Sequence, residues 1–555
     1  VEEGALGYAR GDDTGKWHMT TRWITFGLVL ALGSGASALA AADKELPASL
    51  DDLFALDDAD AKPGAPASSR DALFELAPTP NAGVDAVTPP TRRDDLFALP
   101  PAERGPAREQ ALPASRDALF GDTPAAAPAI AARTPPETPA SRWRGFLQGE
   151  LAYLPDSPAH WSKAMGRLEL GTQGRLAQGG KWKLSGRVDY NGIFDLDDHY
   201  ARAVRKDQRA EFHVRESYVD FAAADMEWRI GRQHIVWGEM VGLFFADVVS
   251  AKDLREFVLP DFQILRIPQW AARAERFGED FHLEAIWIPF PSYDKVGRPG
   301  DGIKAGADYF AYPPVPALDG GSLVLPNVVQ WTKPSNQPSH TNFGVRLSTL
   351  TQGWDIGGFL YSSMDSAPTY RLVGKTPLGP GMLAYNYRAE HRRIHQAGAT
   401  FAKDFQDFVL KGEAIYTHGR SYNVRDPADG DGLARQHTLD WVLGFDFQPG
   451  ADTRINAQLF QRVFVDHDER IVPDQVESGA TLLLNHKFAR DWEVDVLAIH
   501  SLNRSDWLLR PKLIWNFQQN WRMTFGADIF GGPADGLFGQ FDKADRIYGE
   551  VRYDF

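Results

Sequence analysis

The sequence predicts an all-β fold, a transmembrane antiparallel β-barrel, behind a disordered N-terminal periplasmic tail. Three observations predict it. From Arg142 onward, segments of roughly ten residues alternate apolar and polar side chains with period two. The connections between these segments are short and long by turns, as periplasmic turns and extracellular loops are in outer-membrane barrels. The last ten residues, Arg546 to Phe555, form one more such segment and end on an aromatic residue.

Composition narrows the alternatives. The 555 residues contain no cysteine, which excludes disulfides, thiolate metal sites and cysteine nucleophiles. A net charge of -15 argues against a nucleic-acid partner. No window after residue 42 approaches the run of about 20 apolar residues that a membrane helix needs.

In chain order, residues 1 to 18 are charged, Gly-rich and unlike a signal n-region. Translation is expected to start at Met19, and these residues are read as a non-native start outside the fold. Met19 to Ala42 reads as a signal peptide. Basic Arg22 precedes an apolar run, and Ser37-Ala38-Leu39-Ala40 supplies small residues at the cleavage spacing. Residues 43 to 141 are rich in Pro, Ala, Asp and Arg, and bury too little apolar area to offset chain entropy. Four Asp-x-Leu-Phe motifs interrupt this tail, at Leu53-Phe54, Leu73-Phe74, Leu96-Phe97 and Leu119-Phe120. Each reads as one helical turn, with Asp as cap and Leu-Phe as apolar anchor. Four anchors on a flexible chain suit multivalent docking to a periplasmic partner. Anchors onto this chain's own barrel, or plain duplication in a spacer, are the other readings.

The barrel, residues 142 to 555, is expected to have eighteen strands: 143–153, 163–177, 181–194, 212–222, 226–235, 270–277, 281–289, 341–350, 354–362, 391–402, 407–417, 438–447, 452–461, 478–487, 492–500, 507–517, 520–530 and 545–555. Sixteen is the competing count, if one weak pair lies inside a long loop. The faces are explicit in the closing strand. Ile547, Gly549, Val551, Tyr553 and Phe555 share one, and Arg546, Tyr548, Glu550, Arg552 and Asp554 the other. An even count puts both chain ends in the periplasm. Val551, Tyr553 and Phe555 then resemble the C-terminal insertion signal that barrel assembly machinery reads. The alternation breaks at Arg215-Glu216 and from Arg232 to Trp237, where bulges or an inward turn are expected.

The densest unusual region runs from Arg215 to Phe257. It includes Gly231-Arg232-Gln233, Trp237-Gly238-Glu239 and Asp253-Leu254-Arg255-Glu256-Phe257. In these residues the chain resembles a proteobacterial outer-membrane β-barrel family known only as domain of unknown function 1302, over roughly residues 143 to 555. The resemblance implies a barrel that accompanies RND-type exporters and periplasmic partners. It implies no substrate and no residue roles.

Read from the residues, 236 to 269 is a connection long enough to serve as lid, plug or constriction. Folded into the lumen, its alternating charges would act as an electrostatic filter. The candidate lumen residues are Arg215, Glu216, Arg232, Glu239, Asp247, Asp253, Arg255 and Glu256, with Gly238 and Gly242 easing the bend. The alternatives are an external loop held by ordinary ion pairs, or a catalytic site. Catalysis has little support. His213, His234, Glu239 and Asp247 lack metal-ligand spacing, and Ser217 and Ser250 lack a nucleophile elbow. Asp426 to Asp431 reads as an acidic turn rather than a calcium loop. Loop 290 to 340, with its prolines and aromatics, is expected to lack regular structure and to cover the mouth or line an apolar path.

The function expected is a passive outer-membrane channel for hydrophobic or amphiphilic small molecules, coupled through the tail to a periplasmic or RND-type transport partner. It needs no cofactor and no metal. The rivals are a porin for small polar solutes, a non-conducting barrel that anchors a periplasmic complex and, least, an outer-membrane lipase or esterase.

Overall fold

A computed structural model describes residues 143–555, apart from 157, 177–178, 239, 241–245, 299–308, 311–317, 319–322, 332 and 380–381. The signal segment and the tail with its Leu-Phe motifs lie outside the described residues.

Eighteen strands make one closed antiparallel sheet. They are β1 (Arg144–Leu154), β2 (His160–Arg175), β3 (Lys181–Asn191), β4 (Ala210–Ala223), β5 (Met226–Gln233), β6 (Gln269–Phe277), β7 (Phe281–Phe290), β8 (Asn342–Thr351), β9 (Trp354–Met364), β10 (Arg393–Asp404), β11 (Phe408–Asn423), β12 (Leu433–Gly450), β13 (Thr453–Phe464), β14 (Val476–Ala489), β15 (Trp492–Ser501), β16 (Trp507–Gln518), β17 (Trp521–Gly531) and β18 (Arg546–Asp554). Every strand pairs with its neighbour in this order, and β18 returns to β1 with Phe146 opposite Asp554 and Tyr153 opposite Ile547. The backbone of Phe555 exchanges both hydrogen bonds with Gly145, at 2.8 and 2.9 Å. The sixteen-strand alternative is therefore excluded.

The wall is inverted relative to a soluble protein. Leu151, Leu184, Val188, Phe212, Ile230, Leu360, Leu459, Leu482 and Ile547 are exposed on its outer face. Gln148, Arg167, Arg187, Glu284, Glu413, Asp528, Arg546 and Arg552 are buried on its inner face. Apolar outside and charged inside is what lipid and a wet lumen select, and it marks a transmembrane barrel of the outer-membrane type. Aromatic residues rim the short-turn edge. Trp492 stacks on Trp515 at 5.1 Å and Trp521 on Tyr553 at 4.7 Å, and Tyr553 reaches the terminal Phe555 at 5.8 Å. Amphipathic rings favour this level of a bilayer.

One irregularity falls where the alternation broke. The register between β3 and β4 shifts opposite Arg215 and Glu216. One extra residue there turns both side chains inward, where Glu216 pairs with Lys183 at 2.6 Å.

The expectation that loop 290 to 340 lacks regular structure is corrected. It contains a strand, Leu323–Trp331, which adds in parallel to a hairpin formed by Thr369–Gly379 and Met382–Glu390 in the next long loop. Backbone pairing to a hairpin distant in sequence overrides the local proline signal. Asp426 to Asp431 is a turn whose carboxylates are engaged. Asp429 accepts the Asp431 and Gly432 N–H groups and pairs with Arg470 at 2.8 Å.

The inversion predicts an asymmetry. Leu360, 66% exposed near the middle of β9, faces the lipid, and Leu360→Arg should cost about 2–4 kcal/mol. Urea unfolding in lipid vesicles measures it; a change below about 0.5 kcal/mol would contradict the assigned lipid face.

Candidate functional site

The described residues of the connection between β5 and β6, residues 234–268, run through the interior of the barrel. Its inward course follows from what the inner wall offers. Strands present buried cations and carboxylates that need partners. The connection holds a strand, Ala251–Val258, paired with Arg266–Ile267 and, in parallel, with Lys295–Val296; the backbone N–H and C=O groups outside this pairing need partners too.

Two apolar anchors and a set of polar pins hold it. At the first anchor Trp237 is fully buried, with its ring 5.2 Å from Phe359 and 5.7 Å from Tyr361. Its indole N–H donates to Glu284 at 3.1 Å. Gly238 beside it has no room for a side chain, since a Cβ would lie 2.7 Å from the Asp247 nitrogen. The Met240 and Ala246 N–H groups then both donate to the Glu413 carboxylate on β11, at 3.2 and 2.9 Å.

At the second anchor Phe257 packs among Phe530, Phe538 and Phe541, the last at 4.9 Å, with Phe310 in the same cluster. Phe257 has φ of 54°, a strained conformation for a bulky residue, which this packing holds in place. Around it, Glu256 pairs with Lys163 on β2 at 2.7 Å and with Arg546 on β18 at 3.6 Å. Arg510 on β16 donates to the carbonyls of Leu259 at 2.6 Å and Val258 at 3.3 Å. Arg187 on β3 donates to the Ile264 carbonyl at 3.3 Å. Arg215 on β4 donates to the carbonyls of Arg266, at 2.8 Å, and Gln263.

The residues singled out from the sequence distribute as follows. Asp247 is buried and pairs within the loop with Arg266 at 2.8 Å. Asp253 and Arg255 pair at 2.6 Å and meet Glu211 and Lys295 at the long-loop mouth. Burial there works against ionisation of Asp253, but Arg255 and Lys295 outweigh it and hold its pKa down at about 2. The Asp253 carboxylate therefore stays charged at neutral pH, and its pairing with Arg255 weakens as pH falls towards that value. Arg215, Glu216 and Glu256 line the interior as described. Arg232 does not. It shares parity with exposed Ile230 and stands opposite exposed Trp270, so it falls on the outer face. The positive φ of Gly231 disturbs the backbone just before it without reversing that parity. Glu239 and Gly242 lie outside the described residues.

Sequence reasoning missed the wall partners Lys163, Arg187, Glu284, Glu413, Arg510 and Arg546. The available signal was a run of inward charges on strands otherwise satisfied by lipid and ladder.

On the short-turn side of the loop lies a small, partly open recess, with about 40 Å³ of room for the centres of water-sized solutes. Six cations (Lys163, Arg167, Arg510, Lys512, Arg522, Arg546) and four carboxylates (Glu150, Asp261, Asp495, Glu550) line it, with Leu259, Pro260, Ile264 and Ile514 of the apolar residues. The phenylalanine cluster around Phe257 adjoins it through Leu259.

A sequence model described as protein of unknown function, DUF1302, matches residues 173–470, more than half of the chain. No curated protein matches this sequence. Among solved structures, OccAB1 of Acinetobacter baumannii is 8% identical with a TM-score of 0.44, over 75% of this chain and 96% of that one. OccK8 (OprE) of Pseudomonas aeruginosa is 10% identical at 0.43, over 75% and 97%. The outer membrane channel DcaP of Acinetobacter baumannii is 9% identical at 0.37, over 75% and 97%.

Glu413 is the pin to test. Glu413→Ala orphans two buried N–H groups, at roughly 1–3 kcal/mol each. Amide exchange at Met240 and Ala246 should quicken about tenfold or more, with barrel-strand amides unchanged. Unaltered exchange at both amides would remove Glu413 as an anchor.

Proposed function

The chain belongs to the DUF1302 family, whose name assigns no activity, and from the geometry we propose that it is a passive outer-membrane channel for small amphiphiles with an ionised head group. One observation carries this reading. A loop pinned across the lumen leaves beside it a cavity with charges on its walls and an apolar cluster at its margin. Rings of charge set ion preference in a wet pore, and apolar side chains beside them hold a hydrocarbon segment. The lining itself carries six cations; Glu256 and Asp528 just behind it match Lys163, Arg510 and Arg546, and the anionic head is proposed to meet the others.

A porin for small polar solutes is the second reading, favoured by the density of inward charge. The segment 234–268 acts in either case as the constriction. The long loops face outward from the cell, and the tail lies in the periplasm. There its four Leu-Phe pairs dock a periplasmic or RND-type transport partner, each weak contact reinforcing the next.

In planar bilayers the purified protein should conduct. Replacing residues 259–265, which line the recess, by a short Gly-Ser link should raise conductance several-fold, since pore conductance follows the narrowest section. A barrel that carries no current in either form would leave the anchoring role and remove the channel. Lys512→Glu with Arg522→Glu should move the reversal potential from anion towards cation preference; an unmoved potential would separate the cavity from the conduction path. A medium-chain carboxylate should block current where a neutral sugar of equal size does not, and the converse supports the polar-solute porin. Replacing Leu and Phe in all four tail motifs by Ser should abolish recovery of periplasmic proteins on the immobilised full chain. Unchanged recovery would end the docking proposal.

A further inference from the structure

The outer wall carries one row that does not read as lipid-facing. At the long-loop edge the outward residues in register across successive strands are Trp287, Phe343, Ser362, His395, His418 and His437. The first two are the exposed aromatics expected at a membrane rim and stack at 6.4 Å. The last three replace aromatics by imidazoles. His395 and His418 are exposed and His437 is half-buried. The rings of His418 and His437 stack at 4.2 Å and 10°, and His395 lies 6.4 Å from His418.

The row is built rather than loose. A β-bulge interrupts the pairing of β11 with β12 between His418 and Arg420. Gly419 sits in it with φ of 81°, a conformation suited to glycine. Its N–H donates to His437 Nδ1 at 3.0 Å. In the neutral ring this leaves the proton on Nε2, so the exposed nitrogen is a donor. The Gly419 carbonyl accepts from Arg435 Nε at 3.3 Å, which holds an exposed guanidinium two residues from His437 on the same face. A Cβ at Gly419 would collide with that guanidinium, which fixes the close approach. One acid stands near: Asp466 Oδ2 is 3.9 Å from His437 Nε2 and its side chain is 71% exposed.

The level of the row identifies what it meets. From Phe408 at the short-turn rim to His418 is eleven residues of β11, about the 9–11 residues by which a tilted strand crosses a bilayer. Below the row the outward side chains are apolar: Tyr416, Leu439 and, on β9, Leu360 are exposed. Donors therefore end where hydrocarbon ends, which is the headgroup plane. Guanidinium and imidazole N–H groups there complement phosphate oxygens.

We propose that His395, His418, His437 and Arg435 form a binding site for the phosphate of an anionic lipid in the outer leaflet, whose acyl chains lie along Tyr416 and Leu439. The assignment of leaflet rests on the reading that places the long loops outside the cell; the site itself does not require the channel to conduct.

The test is native mass spectrometry of the full chain in detergent micelles with diphosphorylated lipid A, its dephosphorylated form and phosphatidylcholine. The wild type should retain the phosphorylated lipid preferentially. H395Q/H418Q/H437Q/R435Q should lose about tenfold in retention, the loss of several charge-assisted hydrogen bonds. D466N, which removes the opposing charge, should raise retention. Folding of each variant is read from heat-modifiable gel mobility, and channel activity separately from bilayer conductance, so loss of one reading does not carry the other. If the quadruple variant does not fold, the exposed single changes R435Q and D466N decide, through their opposite signs. Equal retention of dephosphorylated lipid A by the wild type, or retention unchanged across the variants, would overturn the site.

Discussion

The pairing of β18 with β1 is the constraint on which the rest depends. A sheet in hydrocarbon cannot leave an edge, because each unpaired N–H and C=O there has no water to turn to. The last strand and the first are far apart in sequence, and their ladder runs from Phe146–Asp554 to Tyr153–Ile547. With the two hydrogen bonds between Phe555 and Gly145, it converts an open sheet into a cylinder. Closure then fixes which face is inside. Every alternating residue of seventeen further junctions inherits its environment from that decision.

Closure also creates the electrostatic problem that the interior loop resolves. Inward charges such as Lys163, Arg510 and Arg546 are buried, and buried charges are tolerated only when paired. Part of the pairing is within the wall, as in Asp528 between Arg510 at 2.6 Å and Arg546 at 2.7 Å. The remainder comes from the loop, through Glu256 and the carbonyls of Leu259, Ile264 and Arg266. The loop's own irregular backbone is satisfied by the same contacts. Wall and loop are thus mutually dependent, and a lumen of this chemistry is partitioned by its own charge balance.

The barrel was legible in the residues to an unusual extent. Each of the eighteen expected segments overlaps an observed strand, since lipid on one side and water on the other enforce strict alternation. The break at Arg215-Glu216 showed a bulge because two charged residues in succession cannot alternate. Errors arose where neighbours distant in sequence took over. Leu323–Trp331 is a strand only because Met382–Glu390 offers it an edge. Arg232 resembles the charges around it, yet parity with Ile230 puts it on the other face.

By itself, the sequence determined the class of fold and the strands, and in the closing strand which residues share a face, because period-two patterning is a local response to two solvents. It also marked residues 236–269 as unusual through their length and charge. Only the tertiary structure decided that this connection turns inward, and where it stops. Its anchors come from strands remote in the chain: Glu413 is 173 residues from Met240 and Arg510 is 251 from Leu259. No local pattern encodes such pairs, since a carboxylate on β11 and an amide in the loop meet only after the cylinder has closed. The same holds for His395, His418 and His437, which become a row only through the register of three paired strands.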